Sequence, residues 1–293
     1  QKFTLENLLL GKETQLLIIS RIPRLVSILV TGASLGIAGI IVQTISSNKF
    51  VSPSTIGTMD WAKFGIMISL IFLGDKSTLL KMTVAFIFAL FGTMLFMKVL
   101  SKMKIKNVVM IPLIGIMLGN VVNSITGFVA YKFDLIQNIG SWMQGNFALV
   151  VKGRYELIYI GIPFLVLAYI YTDKFTIVGI GKDFSANLGL NREKITFIGL
   201  IIVSVITASI VVTIGTIPYV GLIIPNIVSI YKGDNMKKSL PDTAILGALF
   251  VLICDIAGRI VMYPYEVSIS VIMSIVGSLI FLILIFRRYK YAN

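Results

Sequence analysis

The chain runs to 293 residues, of which 57% are hydrophobic and only 13% charged, with a mean hydropathy of +0.95. Soluble domains carry about 25% charged residues, so this composition excludes an ordinary soluble domain. The net charge of +13 would suit nucleic acid, but the basic residues sit in short loops between apolar runs, which is the pattern of membrane topology.

Apolar runs on the roughly 20-residue scale of a bilayer recur along the whole chain. They predict an all-α fold, a polytopic transmembrane helical bundle forming one domain over residues 1–293. The short alternating segments of a membrane barrel are absent. Residues 1–20 read as mixed and loop-like, and Arg21-Ile22-Pro23-Arg24 opens the first span, about 25–45. Gly32, Gly36, Gly39 and Gln43 fall on one face of it, where small residues let helix backbones approach closely in lipid. Gln43 therefore faces protein, through an interhelical hydrogen bond, or lines a pathway. A polar turn over 46–54 leads to a second span, about 56–73. Asp60 and Lys63 lie in its first two turns, near an interface where a long side chain can snorkel.

The third span, about 82–99, ends in Lys98, Lys102, Lys104 and Lys106, the strongest orientation signal and a cytoplasmic one. The fourth, about 108–130, carries Gly115, Gly119, Asn123 and Thr126 at three- and four-residue spacing, with Asn120 and Gly127 beside them. Two asparagines in one span need partners, in helix packing or along a pathway. Segment 131–154 reads as extracellular and holds Trp142, a residue suited to a membrane interface. After a fifth span, about 155–171, the hydrophilic segment 172–194 interleaves charges with small apolar residues, which suggests short interfacial helices able to receive a partner. Within it Gly179-Ile180-Gly181-Lys182 mimics part of a phosphate loop, but the first glycine is missing and Asp183 replaces the required Ser or Thr.

The sixth span covers about 195–212. The following stretch, GTIPYVGLIIPNIVSIYKGD from 215 to 234, is where the chain is expected to break. Pro218, Gly221 and Pro225 rule out one straight helix. Broken backbone in hydrocarbon must be buried in protein or line a cavity, so this is a kinked packing helix or part of a transport pathway. An eighth span, about 240–258, holds Asp255 and Arg259 at helical ion-pair spacing, and a last one, about 267–286, closes with Arg287, Arg288 and Lys290. Placing 98–106 and 287–290 both in the cytoplasm makes the count agree from either anchor and puts residues 1–20 outside. That predicts ten spans, nine of them visible here.

The chemistry available is narrow. There is no histidine, and Cys254 is the only cysteine, with no evident activating neighbour. Asp255 is the one acid counted inside the spans, which excludes a bare transition-metal site and gives thin support to an ion-coupled secondary carrier. No nucleotide-binding motif is present, so an energy source would sit on a separate subunit.

Taken together, RIPR at 21–24 with the glycine stripe to Gln43, then Asn48 and Gly57, Trp142 with Gly145, and ANLGLN at 186–191 resemble one family along almost the whole chain. GTIPYVGLIIPNIVSIYKGDN at 215–235 is the clearest match, followed by Leu240-Pro241, Gly247, Asp255, Arg259, Glu266 and Gly277. The family is that of FecCD/BtuC-type ABC importer permeases for iron–siderophore complexes and vitamin B12. FVSPSTIGT and IPNIVSIYKGDN are most similar to its catechol-siderophore members, those for petrobactin or anguibactin. The resemblance implies a bacterial cell-membrane protein with ten helices and a second permease subunit, identical or paralogous. It also implies two cytoplasmic ATPase subunits that hold ATP and Mg, and an extracellular binding lipoprotein that delivers a ferric siderophore. The chain itself would bind no cofactor, no metal and no nucleic acid, and would not be an enzyme. Haem or cobalamin is the alternative cargo.

By the same resemblance Arg21 and Arg259, with Arg24 beside them, would dock the binding protein. Segment 172–194 would be the coupling segment, with Asp183, Ala186, Leu188, Gly189 and Asn191 seated on the ATPase. Gln43, Asn120, Asn123, Trp142, Pro218 and Pro225 would lie along the pathway. The chain departs from the family pattern at Asn48-Lys49-Phe50, Asn226, Ser229, Ser268 and Ser270, which bears on local gate geometry and cargo.

Overall fold

The glycine stripe of the first span sets the centre of the fold. In the computed structural model, which describes residues 17–74, 76–102, 110–153, 155–233 and 235–292, helix α1 (Ile22–Ile45) is largely buried at the centre. It packs along α11 (Met236–Ile260) and against α9 (Arg192–Ile214) and α10 (Val220–Lys232). The α1–α11 crossing is close enough that a Cβ on Gly32 would fall on the Gly247 carbonyl, and one on Gly247 on the Gly32 carbonyl. A Cβ on Gly36 would lie 2.9 Å from the Thr243 oxygen, so the contact runs antiparallel along both helices. Close backbone approach replaces side-chain interlock, as lipid favours.

Around this centre stand α2 (Thr58–Leu73), α3 (Thr78–Lys102), α4 (Met110–Lys132), the short α5 (Ile136–Met143), the pair α6 (Gly161–Ile170) and α7 (Thr172–Ile180), α8 (Lys182–Asn187), and α12 (Ile269–Ala292). α1, α3, α4, α9 and α11 are long and apolar enough to cross a membrane, and residues 156–180 pass the same test only as a helix pair bent by 60°. α2, α10 and α12, the last apolar over Ile269–Leu284, complete the set, so each expected span falls on a helical segment among the described residues. Segment 172–194 forms two short helices as expected, and the break at 215–219 is real. Helix starts follow their caps: the Asn191 and Asn235 side chains accept from the backbone N–H groups of Lys194 and Lys238, at 3.0 and 3.2 Å. Lys104 and Lys106, and most of the first 20 residues, lie outside the described residues.

The bundle has two chemically distinct ends. At one, Arg24 reaches Asp255 and Glu266, and the Lys152 N–H donates to the Ile19 carbonyl at 3.0 Å. At the other, the Ser47 hydroxyl donates to the Gly179 carbonyl at 3.0 Å and Lys237 pairs with Asp173 at 3.0 Å. The basic-loop rule assigns this second end to the cytoplasm.

One expectation is corrected here. The turn after α1 folds back inward: Pro53 touches Gly221, and the Thr55 carbonyl crowds Gly115. α2 therefore begins at depth, with the Asp60 carboxylate against Gly119. Gly119 sits about 14 Å along α4 at 1.5 Å per residue. Asp60 and Lys63 are therefore within the bundle rather than at an interface, and Asp255 is not the only acid there.

Candidate functional site

Two stretches of irregular backbone meet inside the bundle. The turn at 52–54 and the break at 216–219, with Leu35, Met59 and Ser274, line a cavity of about 370 Å³. Non-helical backbone at membrane depth is stable only where its polar groups find partners. Here they do. Thr216 donates from both its N–H and its hydroxyl to the Met143 carbonyl, at 2.8 and 2.9 Å. The Ser270 hydroxyl accepts from the Gly145 N–H at 2.7 Å and donates to the Thr216 carbonyl at 2.6 Å. Ser268 accepts from Gln144 Nε2 at 3.0 Å, so both serines that depart from the family pattern hold the break in place. Tyr219 takes a left-handed backbone conformation at φ 68°, and its ring lies against Gly277, where a Cβ would come within 2.7 Å.

Pro218 lines the cavity; Pro225 is buried in α10. Proline 225 removes the N–H that would have bonded the Gly221 carbonyl four residues earlier. The Gln43 amide replaces it, donating to the Gly221 and Leu222 carbonyls at 3.3 and 3.2 Å. Of the two roles expected for Gln43, the interhelical hydrogen bond is the one observed, and this residue, 3% exposed, does not line the cavity. Asn226 adds a second tie, its Nδ2 donating to the Leu222 and Lys49 carbonyls at 2.7 and 2.8 Å. Trp142 is partly buried and donates to the Val212 carbonyl at 3.2 Å, a packing contact outside the cavity. Asn120 and Asn123 stand apart from it too, exposed on α4, where Asn123 accepts from Lys63 Nζ at 2.7 Å.

The three arginines at the far end differ from one another. Arg21 is exposed. Arg24, its side chain 11% exposed, pairs with Asp255 at 2.9 Å and Glu266 at 2.8 Å. Arg259 pairs with Asp255 at 2.6 Å, as its spacing suggested, and keeps a third of its side chain exposed. Asp255 thus accepts from two guanidinium groups, and the sequence signalled only one of them. A buried carboxylate needs this compensation.

At the opposite end Asp183, Ala186, Leu188 and Gly189 are all exposed, while Asn191 is exposed and caps α9. Ile180 at the end of α7, with Phe184 on α8 and Leu188 just after it, are exposed apolar side chains, at 61%, 47% and 55% exposure. Ile180 and Phe184 escaped the sequence reading, because Gly181 starts a new helix between them and no single helical period joins the two. Among the described residues no group of three metal-ligating side chains occurs.

Comparison with known proteins agrees with this architecture. Residues 3–287 match the model of the FecCD transport family. The chain is 58% identical over 281 residues to the petrobactin import system permease protein YclN of Bacillus subtilis, covering 96% of this chain and 89% of that protein. It is 38% identical over 274 residues to the ferric-anguibactin transport system permease protein FatD of Vibrio anguillarum, covering 94% and 87%. A solved inward-facing conformation of a metal-chelate type ABC transporter superposes with a TM-score of 0.85 at 23% identity, over 94% of this chain and 88% of that one. At that identity the likeness speaks to the fold.

Proposed function

This chain belongs to the FecCD transport family, and from that premise we propose that it is the permease subunit of an ABC importer for a ferric siderophore of the catecholate type. The observation that carries the mechanism is the meeting of the 52–54 turn with the 216–219 break around one cavity. Helices interrupted at depth can rearrange without exposing backbone to lipid, provided partners such as Gln43 and Ser270 follow them. The permease works with a second, identical or paralogous, permease subunit in the bacterial cytoplasmic membrane. Its extracellular end, through Arg21 and the exposed part of Arg259, meets acidic side chains of a binding lipoprotein. Arg24 holds that end together. At the cytoplasmic end Ile180, Phe184 and Leu188, with Ala186 and Gly189, seat on two ATPase subunits, which bind ATP and Mg. The pathway runs past Pro218 and along the exposed asparagines of α4. Cargo shifts an equilibrium between outward- and inward-open states only through its different affinity for the two.

The test is uptake by the complete importer in liposomes, with ferric catecholate, haem and cobalamin in competition. Ferric catecholate uptake that needs ATP and the binding protein is expected, with haem and cobalamin failing to compete. Uptake by the permease alone under an ion gradient would replace this reading with a secondary carrier. In the same assay Arg21→Glu should weaken lipoprotein docking, and undiminished docking would remove Arg21 from that surface.

A further inference from the structure

We propose that the Lys63 ammonium, held by Asn123, is an anion-contact site on the transport pathway, which takes the negatively charged oxygens of the ferric catecholate as it passes mid-membrane. The proposal rests on the importer reading and adds a residue that selects cargo by charge. Lys63 Nζ donates to Asn123 Oδ1 at 2.7 Å, joining α2 to α4. Lys63 is half-buried, and Asn123 and Asn120 are exposed. At 1.5 Å per residue Asn123 stands about 20 Å from the Met110 end of α4 and about 14 Å from the Lys132 end. That is near the middle of a hydrocarbon layer about 30 Å thick.

A lysine turned to lipid at that depth costs about 3 kcal/mol or more. The face carrying Lys63, Asn120 and Asn123 is therefore turned to water or protein. Met59, one helical turn before Lys63 on the same face of α2, lines the cavity, so the ammonium stands one turn of α2 beyond the cavity wall. The group that accepts from the ammonium is a neutral amide, and the nearby Asp60 carboxylate offsets the charge only in part, through space. Asp60, three residues back, directs its carboxylate against Gly119, one turn of α4 before Asn123, and acts on the ammonium through space without forming a salt bridge with it. An ammonium has three donor hydrogens. One serves Asn123 and two remain for a ligand. A ferric ion held by three catecholate dianions is a trianion whose charge lies on its oxygens, the chemistry this point charge suits.

The experiment is uptake of ferric petrobactin by the complete reconstituted importer, at equal amounts of assembled complex, for wild type, Lys63→Arg, Lys63→Met and Lys63→Glu. Lys63→Arg should stay within about threefold of wild type, Lys63→Met should fall about tenfold, and Lys63→Glu further still. Asn123→Asp, nearly isosteric, sets a carboxylate beside the ammonium and should also fall about tenfold, which keeps the test decisive if Lys63→Met does not assemble. Full uptake by Lys63→Met or by Asn123→Asp overturns the site. So does an order that follows side-chain shape, with Lys63→Met above Lys63→Arg. Absence of wild-type uptake of any ferric catecholate would fell the cargo reading itself, whereas normal wild-type uptake with insensitive variants removes this site alone.

Discussion

Gln43 is the residue on which the irregular cavity wall depends. Its Nε2 serves the carbonyl that Pro225 leaves without an intrahelical donor. In a membrane interior no water can take over that role. Gln43→Leu, similar in volume, should destabilise the protein by about 1–3 kcal/mol. The measurement is thermal unfolding of the purified protein in detergent, and an unchanged midpoint would mean that the Gly221 carbonyl needs no partner. Asn226 performs a related service for the Lys49 carbonyl, so a residue that departs from the family pattern still ties α10 to the turn after α1. The Arg24–Asp255–Arg259 group is the other residue-level device. Spacing revealed the Asp255–Arg259 half; the Arg24 half spans 231 positions in sequence, and only folding brings it together.

Among elements, the α1–α11 pair carries the fold because its backbones are nearly in contact. Gly247 meets the Gly32 carbonyl, whereas a Cβ on Gly127 of α4 would meet nothing within 4 Å. Gly247→Val should therefore separate the two helices and abolish a folded, protease-resistant core, while Gly127→Val should leave the chain's stability unchanged. Limited proteolysis of the two variants in detergent checks this, and equal resistance would show that the crossing tolerates a side chain. α2 teaches the converse lesson. Its composition reads as an ordinary span that starts at a surface, yet its start is set by the turn at 46–57, shaped locally by Ser52, Pro53 and the left-handed Gly57 but directed inward by packing against Gly115 and Gly221.

For the molecule as a whole, the two ends differ in chemistry, which supports the proposal that they meet different partners. One displays arginines around a buried carboxylate; the other displays exposed apolar side chains on the α7–α8 segment. Apolar side chains exposed outside the hydrocarbon mark an interaction surface. Phe184→Asp with Leu188→Asp should abolish co-purification of the ATPase subunits from gentle detergent while the permease still folds. Retention of the ATPases would place their contact elsewhere.

Composition and the spacing of apolar runs were enough to establish the membrane class, the order of the helical segments, the break after 214 and the glycine face of α1, because each depends on periodicity and on prolines that act locally. Family membership was also legible, through motifs spread along the chain. Which of the singled-out polar residues serve packing and which face open space was decided only in three dimensions. Gln43, Trp142 and Pro225 went to packing, Pro218 to the cavity, and Lys63 to mid-depth beside Asn123. The reason is that depth and partner follow from where distant segments cross, and a helical pattern records the direction of a side chain without recording what it meets.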